Sequence, residues 1–165
     1  DAFTWRGMME ANTIREFFAD TIWGKLDFLL IDLPPGTDKL PNIVDLLPKI
    51  SGTLIVTIPS GLSQFVVEKS IKMARDVLQT PVIGLVENMS AIVCESCGNR
   101  KPLFPTGQTG NLAAAYGIPV LGNIPFDPKV AIAADDGQLY LPENRNHPAA
   151  QEIIAIAETV KRFLM

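Results

Sequence analysis

At 165 residues, 47% of them apolar and 19% charged, the chain has material for one domain with its own core, and its composition is not that of a disordered segment. Fourteen basic against eighteen acidic side chains leave a net charge of −4, so neither nucleic acid nor an anionic membrane surface is an expected partner. No apolar run approaches the roughly 18 residues of a membrane span, and no basic, apolar leader opens the sequence. The expectation is a soluble, cytoplasmic chain that begins at Asp1 as a truncated or cleaved product.

In chain order, the first predicted element is a helix near 9–20, offering Ile14, Phe17 and Phe18. Residues 28–31, Phe-Leu-Leu-Ile, form a continuous apolar run closed by Asp32 and the turn residues Pro34-Pro35-Gly36. That is the pattern of a strand covered on both faces. Three further runs predict strands, at 53–58 before Pro59, at 82–86 before Glu87 and at 120–124 before Pro125. Helical patterns alternate with them. Residues 63–78 set Val67, Ile71, Ala74 and Leu78 on one stripe, with Ser63 as the N-cap. Residues 110–116 form a shorter helix closed by Gly117. A last helix, about 149–164 by its apolar period, is expected to bury Ile153, Ile156, Val160 and Phe163 or Leu164. This rhythm predicts an α/β fold, with a doubly wound, mostly parallel sheet carrying helices on both faces, as a single domain over 1–165. Only 88–108 lacks periodicity, and long connections of that kind in compact domains usually carry function.

Four stretches can carry chemistry. Asp32 ends an apolar run where open parallel sheets bind ligands, and a carboxylate there can hold a Mg²⁺ shell while Gly36 lets a backbone N–H approach a phosphate. The same residues would serve equally as a stiffened turn. Asn88, after the third run, could pair with a purine edge or simply turn the chain. The Ile124-Pro125-Phe126-Asp127 loop could wall a base pocket or merely connect a strand to a helix. No Gly-x-x-x-x-Gly-Lys-Ser/Thr phosphate loop occurs within the 165 residues.

The fourth stretch is Cys94-Glu95-Ser96-Cys97, which holds the two cysteines of the chain. Two cysteines do not make a disulfide framework for a chain of this size, and a lone Cys-x-x-Cys reads as a metal-binding pair or a redox dithiol. A closed structural site needs four ligands. His147, the one histidine, is read as a surface loop residue rather than a third ligand. Two chains giving two thiolates each across a twofold axis would complete a Cys₄ site for an iron–sulfur cluster or for zinc.

Taken together, Trp5-Arg6-Gly7-Met8, Trp23-Gly24-Lys25-Leu26-Asp27-Phe28, Ile31-Asp32-Leu33-Pro34-Pro35-Gly36-Thr37, Glu87-Asn88-Met89-Ser90, Cys94-Glu95-Ser96-Cys97-Gly98 and the run from Gly117 to Pro128 resemble the Mrp/ApbC family of P-loop ATPases, iron–sulfur cluster carriers related to MinD. The resemblance covers nearly the whole chain, matched to about the C-terminal two-thirds of a full member. It implies a dimeric deviant-Walker ATPase using ATP and Mg²⁺, with a [4Fe–4S] cluster bridging the subunits for delivery to apo iron–sulfur proteins. On this likeness Asp32 takes the Mg²⁺-associated role and Gly36 the γ-phosphate-sensing turn. Asn88 reads adenine with the Pro125–Asp127 loop beside it, and Cys94 and Cys97 ligate the cluster in a homodimer through their loop. Where the family continues Gly-Thr-Gly-Asp, this chain has Gly36-Thr37-Asp38-Lys39, which keeps an acidic residue and loses a glycine's freedom. The family's phosphate-loop strand is absent here, so this chain alone is expected to be inactive as a hydrolase and to show an exposed apolar seam. The alternatives are a non-catalytic zinc- or cluster-bridged dimerisation module and a MinD-like partitioning ATPase. The latter is disfavoured because the closing helix carries only Lys161 and Arg162 near its end.

Overall fold

The structure is a computed structural model that describes residues 2–34, 39–47, 49–94, 96–104 and 109–165, with the side chains of 2–8 and 10 left aside. The chain divides into two compact units, Asp1–Lys49 and Ile50–Met165.

In the first unit, α1 spans Ala2–Asp20 and α2 spans Lys39–Leu46. Helix α1 is longer than the 9–20 expected from its apolar side chains, and α2 was not anticipated. Trp23 folds back on α1: its indole N–H donates to Phe18 O at 3.0 Å, and its ring meets Phe17 edge-on at 5.7 Å. The strand expected at 28–31 is not formed. These residues belong to no sheet, and Leu30 is 89% exposed. An apolar run becomes a strand only where a neighbouring strand takes its backbone N–H and C=O groups, and the first unit has none among the described residues. Leu29, Leu30 and Ile31 instead line an apolar pocket of about 440 Å³ with Ile14, Phe17 and Trp23.

The second unit holds the α/β core. Strands β1 (Thr53–Thr57), β2 (Val82–Glu87) and β5 (Val120–Asn123) form a parallel sheet in the order β1-β2-β5. Helix α3 (Gly61–Lys72) runs on through a single wider π turn, Met73–Val77. Its N-cap is Ser60, which is extended and accepts the Ser63 N–H at 3.3 Å. Ser63 therefore sits inside the first turn rather than capping it. The expected stripe is present: Val67, Ile71 and Ala74 are buried. Helix α4 (Thr109–Tyr116) joins α3 on one face, where Ile71, Leu85, Ile55, Val67, Ala113 and Ile118 make a core. Fully burying side chains such as Ile71 and Leu85 stabilises the fold by about 1.5–3 kcal/mol each.

On the opposite face, α7 (Pro148–Leu164) lies on β5 and β2, bringing Ile156 over Gly122. Residue 122 pairs with Val86, and Val86 pairs with Val56, so Val56 shares this second face. On this face Leu54 and Val56 remain 40% and 57% exposed. Within α7, Leu164 rather than Phe163 turns inward, Phe163 being exposed. Two short helices, α5 (Pro128–Asp135) and α6 (Tyr140–Asn144), precede α7. The aperiodic stretch 88–108 contains a two-stranded antiparallel ribbon, β3 (Ala91–Val93) and β4 (Arg100–Pro102).

Candidate functional site: a cysteine ribbon and its groove

The ribbon exists to turn the chain at the cysteines. Val93 pairs with Arg100 and Ile92 with Lys101, and the turn between them is closed by Cys94 N–H to Asn99 O at 2.9 Å and Gly98 N–H to Cys94 O at 2.8 Å. Gly98 has φ +72, in the left-handed region that favours glycine, so the residue after the second cysteine is set by the turn. Both thiols are free and exposed. The Cys94 thiol is lowered from its ordinary 9.0 to about 7, first by the Ser96 hydroxyl 3.1 Å away, then by the backbone amides of Cys97 and Ser96. A turn that aims donors at a sulfur stabilises the thiolate, the form that binds metal. Among the described residues no third His, Cys, Asp or Glu completes a metal site around the pair. Two thiolates alone leave a tetrahedral ion half-coordinated.

The root of the ribbon is tied to the segment after β5. Ser90 donates to Ile124 O through both its N–H, at 3.0 Å, and its hydroxyl, at 3.1 Å. Phe126 N–H donates to Ala91 O at 2.8 Å, and Phe126 bridges to Ile92. Between ribbon and loop lies an open groove of about 860 Å³, with Val93, Cys94 and Gly98 on one wall and Pro125, Asp127 and His147 on the other.

Asp127, expected at a base pocket, is engaged within the chain. It caps α5, accepting Lys129 N–H at Oδ1 (2.9 Å), while Oδ2 accepts the Tyr140 hydroxyl at 2.6 Å and His147 Nδ1–H at 3.1 Å. Burial raises its carboxyl, but these three donors outweigh it and hold the group below the usual carboxylate range. Burial and the adjoining carboxylate push the Tyr140 hydroxyl well up. His147, expected on the surface of a loop, is tied to Asp127 through its Nδ1. It sits at the N-cap position of α7, with Lys129 Nζ 3.5 Å from its Nε2. The signal available in sequence was His147-Pro148, a residue before a helix-opening proline. Nothing in sequence marked Tyr140 or Ser96.

Asn88 stands at the C-terminal end of β2, with its Oδ1 accepting Met89 N–H at 2.9 Å. Pro125 is buried in the groove wall. Asp32 is exposed in the first unit, and Gly36 lies outside the described residues.

A family model described as "ParA: NUBPL iron-transfer P-loop NTPase" matches residues 1–161. A protein of Saccharolobus solfataricus named iron-sulfur cluster carrier protein is 42% identical over 161 residues, covering 97% of this chain and 54% of its own. One of Methanocaldococcus jannaschii with the same name is 44% identical over 134 residues, covering 81% and 46%. The chain thus spans about half the length of the curated relatives it matches. Among solved structures, a nucleotide-binding protein of Archaeoglobus fulgidus, in complex with ADP and described with cobalt, superposes with a TM-score of 0.69 at 40% identity, over 81% of this chain and 54% of that one. The cell division ATPase MinD of Pyrococcus furiosus shares the fold, with a TM-score of 0.64 at 20% identity over 92% and 58%.

Proposed function

This chain belongs to the NUBPL iron-transfer P-loop NTPase family, and on that premise we propose that it is the cluster-holding portion of an ATP-dependent iron–sulfur cluster carrier. The observation that carries the proposal is the pair of exposed thiols at the tip of one ribbon, where the donors of its own turn lower the Cys94 thiol to about 7 and favour the thiolate. Two such tips, from two copies of the chain, supply the four thiolates of a [4Fe–4S] cluster. Exposure at a tip suits a cargo that must leave, because a receiving apo-protein can bring its own thiolates to the metal. ATP with Mg²⁺ would supply the binding energy that biases the dimer between retaining and releasing the cluster, and it can do so only by binding the two states unequally. Toward that nucleotide the second unit offers Asn88 and buried Pro125 for the adenine edge, and Asp32, exposed in the first unit, is the carboxylate proposed for the Mg²⁺ shell. With its Oδ1 taken by Met89 N–H, Asn88 has its NH₂ group to present to a ring nitrogen. The phosphates have no Gly-x-x-x-x-Gly-Lys-Ser/Thr cradle within these 165 residues, so hydrolysis is assigned to a protein of the relatives' full length.

Anaerobic reconstitution with iron and sulfide, followed by metal and sulfide counts and native mass, tests the proposal. About two irons and two sulfides per chain in a dimer are expected, as for one four-iron cluster on four thiolates. Cys94→Ser and Cys97→Ser should each abolish retention with the fold intact. About half a zinc per chain without sulfide would replace the carrier by a structural Cys₄ bridge.

A further inference from the structure

An isolated two-stranded ribbon is marginal in water, so the position of Cys94 is only as firm as the ribbon's attachments. Those attachments are Ser90 on Ile124, the Ala91–Ile92 stretch on Phe126 two residues before Cys94, and the Arg100–Glu152 ion pair at 3.5 Å, which is half exposed and contributes little. The Phe126 side chain is 42% exposed, so the backbone on either side shares in holding the residue. Its neighbours there are buried Pro125 on one side and Asp127 on the other. The Asp127 carboxylate in turn joins three elements. It caps α5 through Lys129 N–H, takes the hydroxyl of Tyr140 from the start of α6, and takes His147 Nδ1–H from the residue before α7. Hydrogen bonds to an ionised acceptor are roughly twice as strong as neutral ones, and here they stand in a half-buried corner where water competes poorly.

We infer that Tyr140 and His147 are positioning residues for the thiolate pair, acting through Asp127 and the Phe126 backbone on the root of the cysteine ribbon. The inference rests on the cysteine reading above for its purpose, but not for its geometry. Neither side chain needs to touch the metal. Each fixes the strip of backbone from which the Cys94 turn projects.

Tyr140→Phe and His147→Gln, made in the full chain, test this with two readouts. In the metal-free protein, amide hydrogen exchange at Phe126 and Cys94 should quicken about tenfold in Tyr140→Phe, the cost of one lost charge-assisted bond, while Leu85 in the sheet keeps its wild-type rate. Loaded with Co²⁺, both variants should release the ion to a chelator about tenfold faster, the lower end of what losing an outer support costs a metal site. The thiolate-to-cobalt absorption should weaken or shift. His147→Gln, which keeps an N–H donor, should lie closer to wild type than His147→Ala. Wild-type exchange at Phe126 and Cys94 in both Tyr140→Phe and His147→Ala would overturn the inference. Failure of the wild type to retain iron and sulfide on reconstitution would instead overturn the carrier reading, and the exchange data would still decide the inference.

Discussion

The Ser96 hydroxyl lies 3.1 Å from Cys94 Sγ; either group can donate while the thiol is neutral, but an ionised sulfur accepts the stronger, charge-assisted bond, so the contact favours the thiolate. The sign of the resulting linkage is definite. The folded pKa of about 7 is below the ordinary 9.0, so the contribution to stability is complete above the unfolded value and is lost as pH falls through about 7. The same shift governs reactivity, because the thiolate is the nucleophile. Alkylation of Cys94, followed site by site by mass spectrometry, should rise with a midpoint near 7 in the metal-free chain. In Ser96→Ala the midpoint should move upward, toward 9.0. An unmoved midpoint would mean that the amides of Ser96 and Cys97 hold the thiolate unaided. Gly98 belongs to the same argument. A Cβ there meets no atom within 4 Å, so Gly98→Ala costs only the left-handed backbone, φ +72, about 1–2 kcal/mol, and that strain falls on the turn presenting the donors.

Among the elements, the contact of α7 with β5 depends on a missing side chain. A Cβ on Gly122 would stand 2.7 Å from Cγ1 and 2.8 Å from Cδ1 of Ile156, which is 6% exposed. Gly122→Ala should therefore destabilise the chain by about 1–3 kcal/mol through overpacking, read as a lower denaturation midpoint at unchanged slope. Adding Ile156→Val should recover part of the loss, and failure to recover any would place the cost elsewhere. The apolar side of this contact was legible in the sequence, because Ile153, Ile156 and Val160 keep the helical period. So were β1, β2 and β5, whose runs are short, apolar and closed by Pro59, Glu87 and Pro125. Residues 28–31 carry the same local pattern and make no strand, because pairing is a property of two segments and only one of them is visible in a run of residues. The ribbon was hidden for the opposite reason. Three-residue strands show no period, and Arg100-Lys101-Pro102 has the composition of a loop. Cys94 and Cys97 were readable from spacing, whereas the Asp127–Tyr140–His147 node joins positions 13 and 20 residues apart, a meeting only the fold reveals.

For the whole molecule, the carrier reading makes association conditional on cargo. A cluster bound by two ribbon tips binds the dimer and not the monomer, so it stabilises the dimer by mass action and its removal must reverse that. The second unit also offers an unconditional route to association. Leu54 and Val56 are exposed on β1, and among the described residues β1 pairs in the sheet with β2 alone. Apolar residues on such an edge favour contact between chains regardless of metal. The two routes respond oppositely to two changes. Chelation of iron should return a ribbon-bridged dimer to monomer in sedimentation, and Cys97→Ser should prevent its formation, whereas neither should affect association through β1. Val56→Lys should suppress the second kind while leaving cluster-dependent dimerisation unchanged, because Val56 is 57% exposed and its replacement opens no cavity. A reconstituted dimer that persists after chelation and dissociates in Val56→Lys would show that the subunits meet at the sheet. The four thiolates would then have to be gathered by some arrangement other than two facing ribbon tips.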